Sequence, residues 1–326
     1  MNAIKPLREN LYRFALCQLA LLSLGAGAQA APLTIQHDEG TAQIDATPER
    51  LLVMDEEALG WVYALNLEDR VVGLGSSYLT PEMLDGGKVK ADVLERGFFG
   101  HGRLKSPTYV GSWTAPNLET VTALAPDLTV RLTWDGNENY KQLSAVSPTL
   151  GYKEGGPDFW KRAVTDLGRI FGREERAAAV VKLPDNVNRY NRAALEAAGV
   201  LERFPKVVVV APFAGGSNWV YSSTRLIDDL RALGFKDGIQ LSKTTLGVGA
   251  EVSEEALLGL DKQTLVVVFP PGGEYNGAAE FMASAVGQQL KDQTVLYEPE
   301  EFSPYSGPLT QARNSSLVTK AILEEF

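Results

Sequence analysis

The sequence predicts an α/β protein of two Rossmann-like lobes, with mainly parallel sheets, joined by a single long α-helix. Three observations predict it. Short β-branched runs alternate with amphipathic helical stretches through both halves of the 326-residue chain, the pattern of parallel strands linked by crossover helices. Two stretches, "PNLETVTALAPDLTV" (116–130) and "VSEEALLGLDKQTLVVV" (252–268), share one grammar: a cap, a carboxylate in the first helical turn, a leucine face and a buried strand. Between them, residues 173–198 read as helix interrupted only by Pro184.

Taken in order, Arg50 to Met54 reads as a strand after Pro48, Glu56 to Leu65 as a helix and Arg70 to Leu74 as a second strand. A long glycine-rich stretch leads to Tyr109. In the first repeated unit, Asn117 suits a helix cap and Glu119 sits where the positive end of the helix dipole favours an anion. Pro126 stops that helix, and Leu128 begins a buried strand. Asp158 to Phe171 places Trp160, Val164 and Leu167 on one helical face. In the second half, Lys206 to Val210 is a strand, Thr224 to Leu233 a helix closed by Gly234, and Thr264 to Phe269 a buried strand. The domain boundaries expected are 31–172 for the N-terminal lobe, 173–199 for the linking helix and 200–326 for the C-terminal lobe. A proline inside a helix removes a hydrogen bond and clashes with the preceding turn, so a kink or a split is expected at Pro184.

Residues 1–30 read as an export signal. Lys5, Arg8 and Arg13 precede a short apolar core, Phe14 to Leu24, and Ala28-Gln29-Ala30 supplies a small-x-small cleavage site. The core is too short to span a bilayer. The only cysteine, Cys17, lies inside that core behind Leu16, which is not a lipidation pattern, and no disulfide is expected in the mature chain. Cleavage after Ala30 removes three cations and one anion, so the net charge of −10 becomes −12. Such a balance argues against nucleic acid and anionic membranes as partners.

Enzyme motifs are missing. Gly215 to Trp219 has a serine beside glycines but no G-x-S-x-G elbow, and no histidine follows it. "GLGSSY" carries two of the three glycines of a dinucleotide fingerprint. His37 and His101 have no metal-ligand spacing and read as solvent-exposed. No catalytic residue, resident metal or cofactor is expected.

Several motifs together resemble the substrate-binding proteins of ABC importers for ferric siderophores, haem and vitamin B12, whose two lobes are joined by one rigid helix. They are Thr47-Pro48-Glu49-Arg50, Val71-Val72-Gly73, Val110-Gly111 with Asn117-Leu118-Glu119, Leu124 to Leu128, and Val252-Ser253-Glu254-Glu255. The segment from Leu74 to Tyr109 is longer than usual for the group, and Pro184 departs from it. The resemblance implies a monomeric periplasmic protein that captures a ferric siderophore and delivers it to an inner-membrane ABC permease dimer. It also implies that one glutamate per lobe, Glu119 and Glu255 (with Glu254 as rival), meets the permease. The alternatives are a haem-binding protein of the same group, with Tyr78 as iron ligand, and, from a different class, a periplasmic siderophore-processing enzyme.

A chelate-binding cleft needs aromatic surfaces and a few polar or positive groups, at the carboxyl ends of parallel strands. The loops expected there carry Tyr78, Arg131, Trp134, Trp219, Tyr221, Tyr275 and Tyr305. Arg103, with Lys105 beside it, is a candidate for an anionic chelate.

Overall fold

In the computed structural model, residues 32–95, 104–134, 139–155, 158–298 and 307–326 are described. The expected leader, His101, Arg103 and Tyr305 lie outside them.

The N-terminal half opens with a hairpin, β1 (Leu33–His37) and β2 (Gly40–Ile44), which the sequence reading did not anticipate. There follow β3 (Leu51–Val53), α1 (Glu56–Ala64), β4 (Val71–Leu74), β5 (Leu84–Asp85), β6 (Lys88–Val89), α2 (Ala91–Leu94) and β7 (Thr108–Tyr109). Next come α3 (Leu118–Leu124), β8 (Leu128–Thr133), α4 (Tyr140–Ser144), β9 (Thr149–Lys153) and α5 (Trp160–Ile170). Strand order is β5-β6-β7-β4-β3-β8-β9. The five strands from β7 to β9 are parallel, and β5 and β6 form an antiparallel edge. Side chains alternate across such a sheet, so Leu51 and Val53 enter one apolar cluster while Leu52 and Met54 enter another. Burial on both faces is why these strands read as apolar runs.

His37 is not the exposed residue expected. It is 8 % exposed, and its Nδ1 accepts from the amides of Glu39 at 3.2 Å and Gly151 at 3.4 Å. Burial lowers its pKa. It pins the hairpin to β9.

The stretch expected as one long helix is two: α6 (Glu174–Val181) and α7 (Leu183–Ala197), meeting at Lys182. Pro184 lies in the first turn of α7, where a missing N–H is tolerated. Proline therefore starts a second helix here.

The C-terminal half contains α8 (Val200–Arg203), β10 (Lys206–Pro212), β11 (Asn218–Tyr221), α9 (Arg225–Ala232), β12 (Lys236–Asp237), β13 (Gly249–Val252), α10 (Glu254–Leu258) and β14 (Thr264–Val268). It closes with α11 (Ala278–Ala283), α12 (Ala285–Leu290), β15 (Thr294–Leu296) and α13 (Pro308–Glu325). The sheet path is β13-β11-β10-β14-β15, with β12 paired to β10. Strands β12, β14 and β15 run parallel to their neighbours, and β11 and β13 are antiparallel. Val207 and Val209 face one cluster, Val208 and Val210 the other.

Helix α13 ties the halves together. Leu309 packs against the N-terminal core, while Val318 and Ile322 are buried in the C-terminal core. Asn191 on α7 donates to the Ser315 hydroxyl at 2.9 Å.

Candidate functional site

A parallel strand ends with its carboxyl edge open, and the residues just beyond it are free to face a ligand. All five parallel strands of the N-terminal sheet contribute in this way to one cavity of about 370 Å³. Beyond β3 come Asp55, Glu56 and Glu57; beyond β4, Tyr78; beyond β7, Trp113. Strand β8 gives Leu132 and then Trp134, and Glu154 follows β9.

The carboxylates are fixed by backbone geometry. Asp55 caps α1, its Oδ1 accepting from the Ala58 amide at 2.7 Å, and its Oδ2 accepts from the Leu132 amide at 2.6 Å. Burial pushes its pKa up to about 6 against the pull of those amides. Glu56 is 1 % exposed, and burial, aided by the charge of Asp55, pushes it up to about 7. Glu56 Oε1 accepts from the Ser76 hydroxyl. Its other oxygen, Oε2, accepts no hydrogen bond. The Trp113 indole is close enough to favour the Glu56 anion but falls short of hydrogen-bond geometry.

Ser76 is the pivot of the site. Its side-chain oxygen also accepts from the Tyr78 amide at 3.0 Å, and its carbonyl accepts from the Tyr109 hydroxyl at 3.1 Å. One buried serine thus positions both a carboxylate and an aromatic ring.

The aromatic wall runs through Trp113. Its ring centroid is 6.0 Å from that of Tyr78 and 5.7 Å from that of Trp134, the latter nearly edge-on at 85°. Asn139 holds the Trp113 loop by donating to its carbonyl at 2.7 Å. Gly111 makes the loop possible: at φ +101° a side chain there would be strained, and a Cβ would lie 2.7 Å from the Ala115 carbonyl.

Of the residues expected at the site, the cavity brings together Tyr78 and Trp134. Arg131 was expected in a loop, but β8 continues to Thr133, so it lies within the strand. It is 1 % exposed, with Nη1 3.3 Å from the Glu39 carboxylate. Trp219 and Tyr221, also expected in a loop, stand on β11; Tyr221 packs against the C-terminal core. Tyr275 is 60 % exposed on a single turn. The residues lining the cavity all precede α6, so these C-terminal aromatics are not among them. Lys105, Glu119 and Glu255 are exposed.

Trp113 and the carboxylates went unnoticed in the sequence. Strand β7 has two residues and gives no periodicity, so the loop behind it had no marker. Asp55 to Glu57 directly follow a strand the sequence predicts, where carboxylates also suit a plain helix start.

Solved structures share this fold. The siderophore-binding protein BauB, bound to ferric iron and two acinetobactin molecules, superimposes with a TM-score of 0.65 at 19 % identity, over 89 % of this chain and 98 % of that one. FhuD from Vibrio cholerae, bound to Fe3+–Desferal, gives 0.63 at 17 % identity, over 85 % and 98 %. In sequence, the ferric-anguibactin-binding protein FatB of Vibrio anguillarum is 26 % identical over 45 % of this chain and 42 % of its own. The Fe(3+)-citrate-binding protein YfmC of Bacillus subtilis is 29 % identical over 36 % and 33 %. The matches thus span less than half the length of these curated relatives. The model of the periplasmic binding protein family matches residues 52–291, which takes in most of both large sheets and the helices between them. The chain belongs to the periplasmic binding protein family.

Proposed function

We propose that this protein captures a ferric siderophore in the periplasm and presents it to an inner-membrane ABC permease. The observation that carries the reading is the cavity at the carboxyl edge of five parallel strands, walled by Tyr78, Trp113 and Trp134. Aromatic faces with a few fixed polar groups suit a compact organic chelate. The names of the similar proteins, which bind ferric chelates, support the same class of ligand. The iron is cargo, held by the siderophore, and the protein's role is binding without turnover.

The test is a panel of ferric chelates, haem and cobalamin titrated against intrinsic fluorescence, with Trp113 and Trp134 as reporters inside the cavity. We expect quenching by at least one ferric siderophore well below millimolar. If every chelate binds no more tightly than about millimolar, a weak encounter, the reading is wrong.

Export belongs to the same reading. The charge and apolar order of residues 1–30 supports cleavage after Ala30, and no helix among the described residues is long and apolar enough to cross a membrane. Intact mass of protein drawn from the periplasm checks it: a chain retaining Met1 or carrying acyl groups overturns it. Glu119 and Glu255 are the proposed contacts to the permease.

A further inference from the structure

We infer that the cavity selects ferric chelates bearing a positively charged organic arm, such as a protonated amine, seated between its carboxylates and its aromatic wall. This deepens the reading above and rests on it.

Charge is the first argument. Among the described residues, the cavity is lined by four acidic side chains, Asp55, Glu56, Glu57 and Glu154, and by no basic one. Arg131, one of the cations expected there, is buried in β8 against Glu39. A chelate carrying net negative charge, such as a tris-catecholate, meets carboxylates and no cation among the described wall residues, in a protein whose overall charge is −10.

The second argument is an unmet acceptor. Glu56 Oε2 is buried without a hydrogen bond in a residue that lines the cavity. Leaving a buried carboxylate oxygen unpaired is unfavourable, and a ligand N–H donor relieves it. The Trp113 indole beside it favours the anion without completing a hydrogen bond.

Third, the wall is built for cations. Two indoles and a phenol, spaced 5.7–6.0 Å apart through Trp113, offer ring faces and edges over the same space, and an ammonium over such rings gains cation–π attraction. A bare metal ion is the wrong occupant: no three acidic or histidine groups among the described residues converge as a metal site.

The experiment compares matched pairs of ferric chelates differing only in one charge. The first pair is Fe(III)–desferrioxamine B, a trihydroxamate with a pendant ammonium, and its N-acetylated form. The second is an amine-bearing catecholate chelate and its N-acetylated form. Ferric citrate and an uncharged-arm tris-catecholate complete the set. Each is titrated into the full-length mature protein at low and high salt. We expect the ammonium member of a pair to bind about tenfold more tightly than its acetylated partner, less so at high salt. We also expect the preference to fall toward unity in the Glu57→Gln/Glu154→Gln variant, whose circular dichroism and melting confirm folding. Equal or weaker binding by the ammonium members, or tighter binding by the anionic chelates, overturns this inference and leaves the siderophore reading standing. So does a preference that persists unchanged in the folded variant. Absence of binding by every ferric chelate overturns both.

Discussion

Glu56 is placed where an ionised carboxylate is least comfortable: buried, beside Asp55, with one oxygen unpaired. Burial raises its pKa to about 7, while the unfolded chain ionises near about 4.3. Between those values the folded state holds more protons than the unfolded state, so stability falls as pH rises through that window and levels off above it. Glu56→Gln keeps an acceptor for Ser76 and removes the titration. Urea unfolding at pH 4.5 and pH 8 should show the variant gaining on the wild type by about 2–3 kcal/mol across that interval. Parallel curves would show that Glu56 is ionised in the folded protein at acid pH. Ser76→Ala should destabilise the protein by about 1–3 kcal/mol, because it strips a buried acid of its donor, and should loosen Tyr78. The check is urea unfolding together with near-ultraviolet circular dichroism of the aromatic wall; unchanged stability and spectra would remove Ser76 from its pivotal role. At this scale the sequence was only half legible. Tyr78 and Trp134, which line the cavity, stand out in the sequence as strand-end aromatics. Asp55, Glu56 and Glu57 were overlooked because cations were sought beside them, and whether a first-turn carboxylate faces solvent or a cavity depends on tertiary packing.

Helix α3 shows why the recognisable motifs recur together. Arg50, just before β3, donates from Nε and Nη2 to the Leu124 carbonyl at 3.1 and 2.6 Å, satisfying the end of a seven-residue helix. Asp127 returns the contact: its Oδ2 accepts from the amides of Glu49 and Arg50 at 2.9 and 3.0 Å. The Pro-Glu-Arg and Pro-Asp-Leu motifs are thus two halves of one clasp. It holds Ala125 in a left-handed conformation, φ +43°, that a non-glycine residue adopts reluctantly. Asp127→Ala should lower stability by about 1–2 kcal/mol, since the contacts are partly solvated, with little effect on chelate affinity. A melting temperature equal to wild type would show the clasp to be dispensable. Long apolar runs such as β10 and β14 were legible because both of their faces are buried. The hairpin β1–β2 and strands β11, β13 and β15 were not read as strands: they are short, and pairing rather than periodicity defines them. Pro184 was legible as an interruption, and the structure supplies its sense, the start of α7.

For the whole molecule, the question is whether two lobes can present two charges at a fixed separation. Two connections run between the sheets' cores: α6, packed on the N-terminal core, continues into α7, packed on the C-terminal core, and α13 begins with Leu309 against the N-terminal core and ends in the C-terminal core. Such a connection leaves little freedom for hinge closure. Scattering profiles with and without a bound ferric chelate should therefore nearly superimpose; a large compaction on binding would contradict the rigid connection. The docking proposal depends on that rigidity. Helix α3 runs into β8 and α10 into β14, so each helix lies antiparallel to its strand and starts at the sheet's carboxyl edge. Glu119 and Glu255 are both exposed in those first turns. Helix caps hold the turns in place: Asn117 Oδ1 accepts from the Thr120 amide at 3.0 Å, and Ser253 Oγ from the Ala256 amide at 3.3 Å. The Glu255 amide and the Ser253 hydroxyl also hold the Glu255 carboxyl below its usual pKa. In the proposed docking, each carboxylate is thereby held at a set place on that edge, one per lobe, to meet the permease. Exposed carboxylates add little to stability, so Glu119→Ala/Glu255→Ala should melt within about a degree or two of wild type and bind chelate unchanged. Uptake of radiolabelled ferric chelate by cells carrying the double variant should be abolished. Wild-type uptake by that variant would mean the two glutamates only offset their helix dipoles, and that another surface meets the permease.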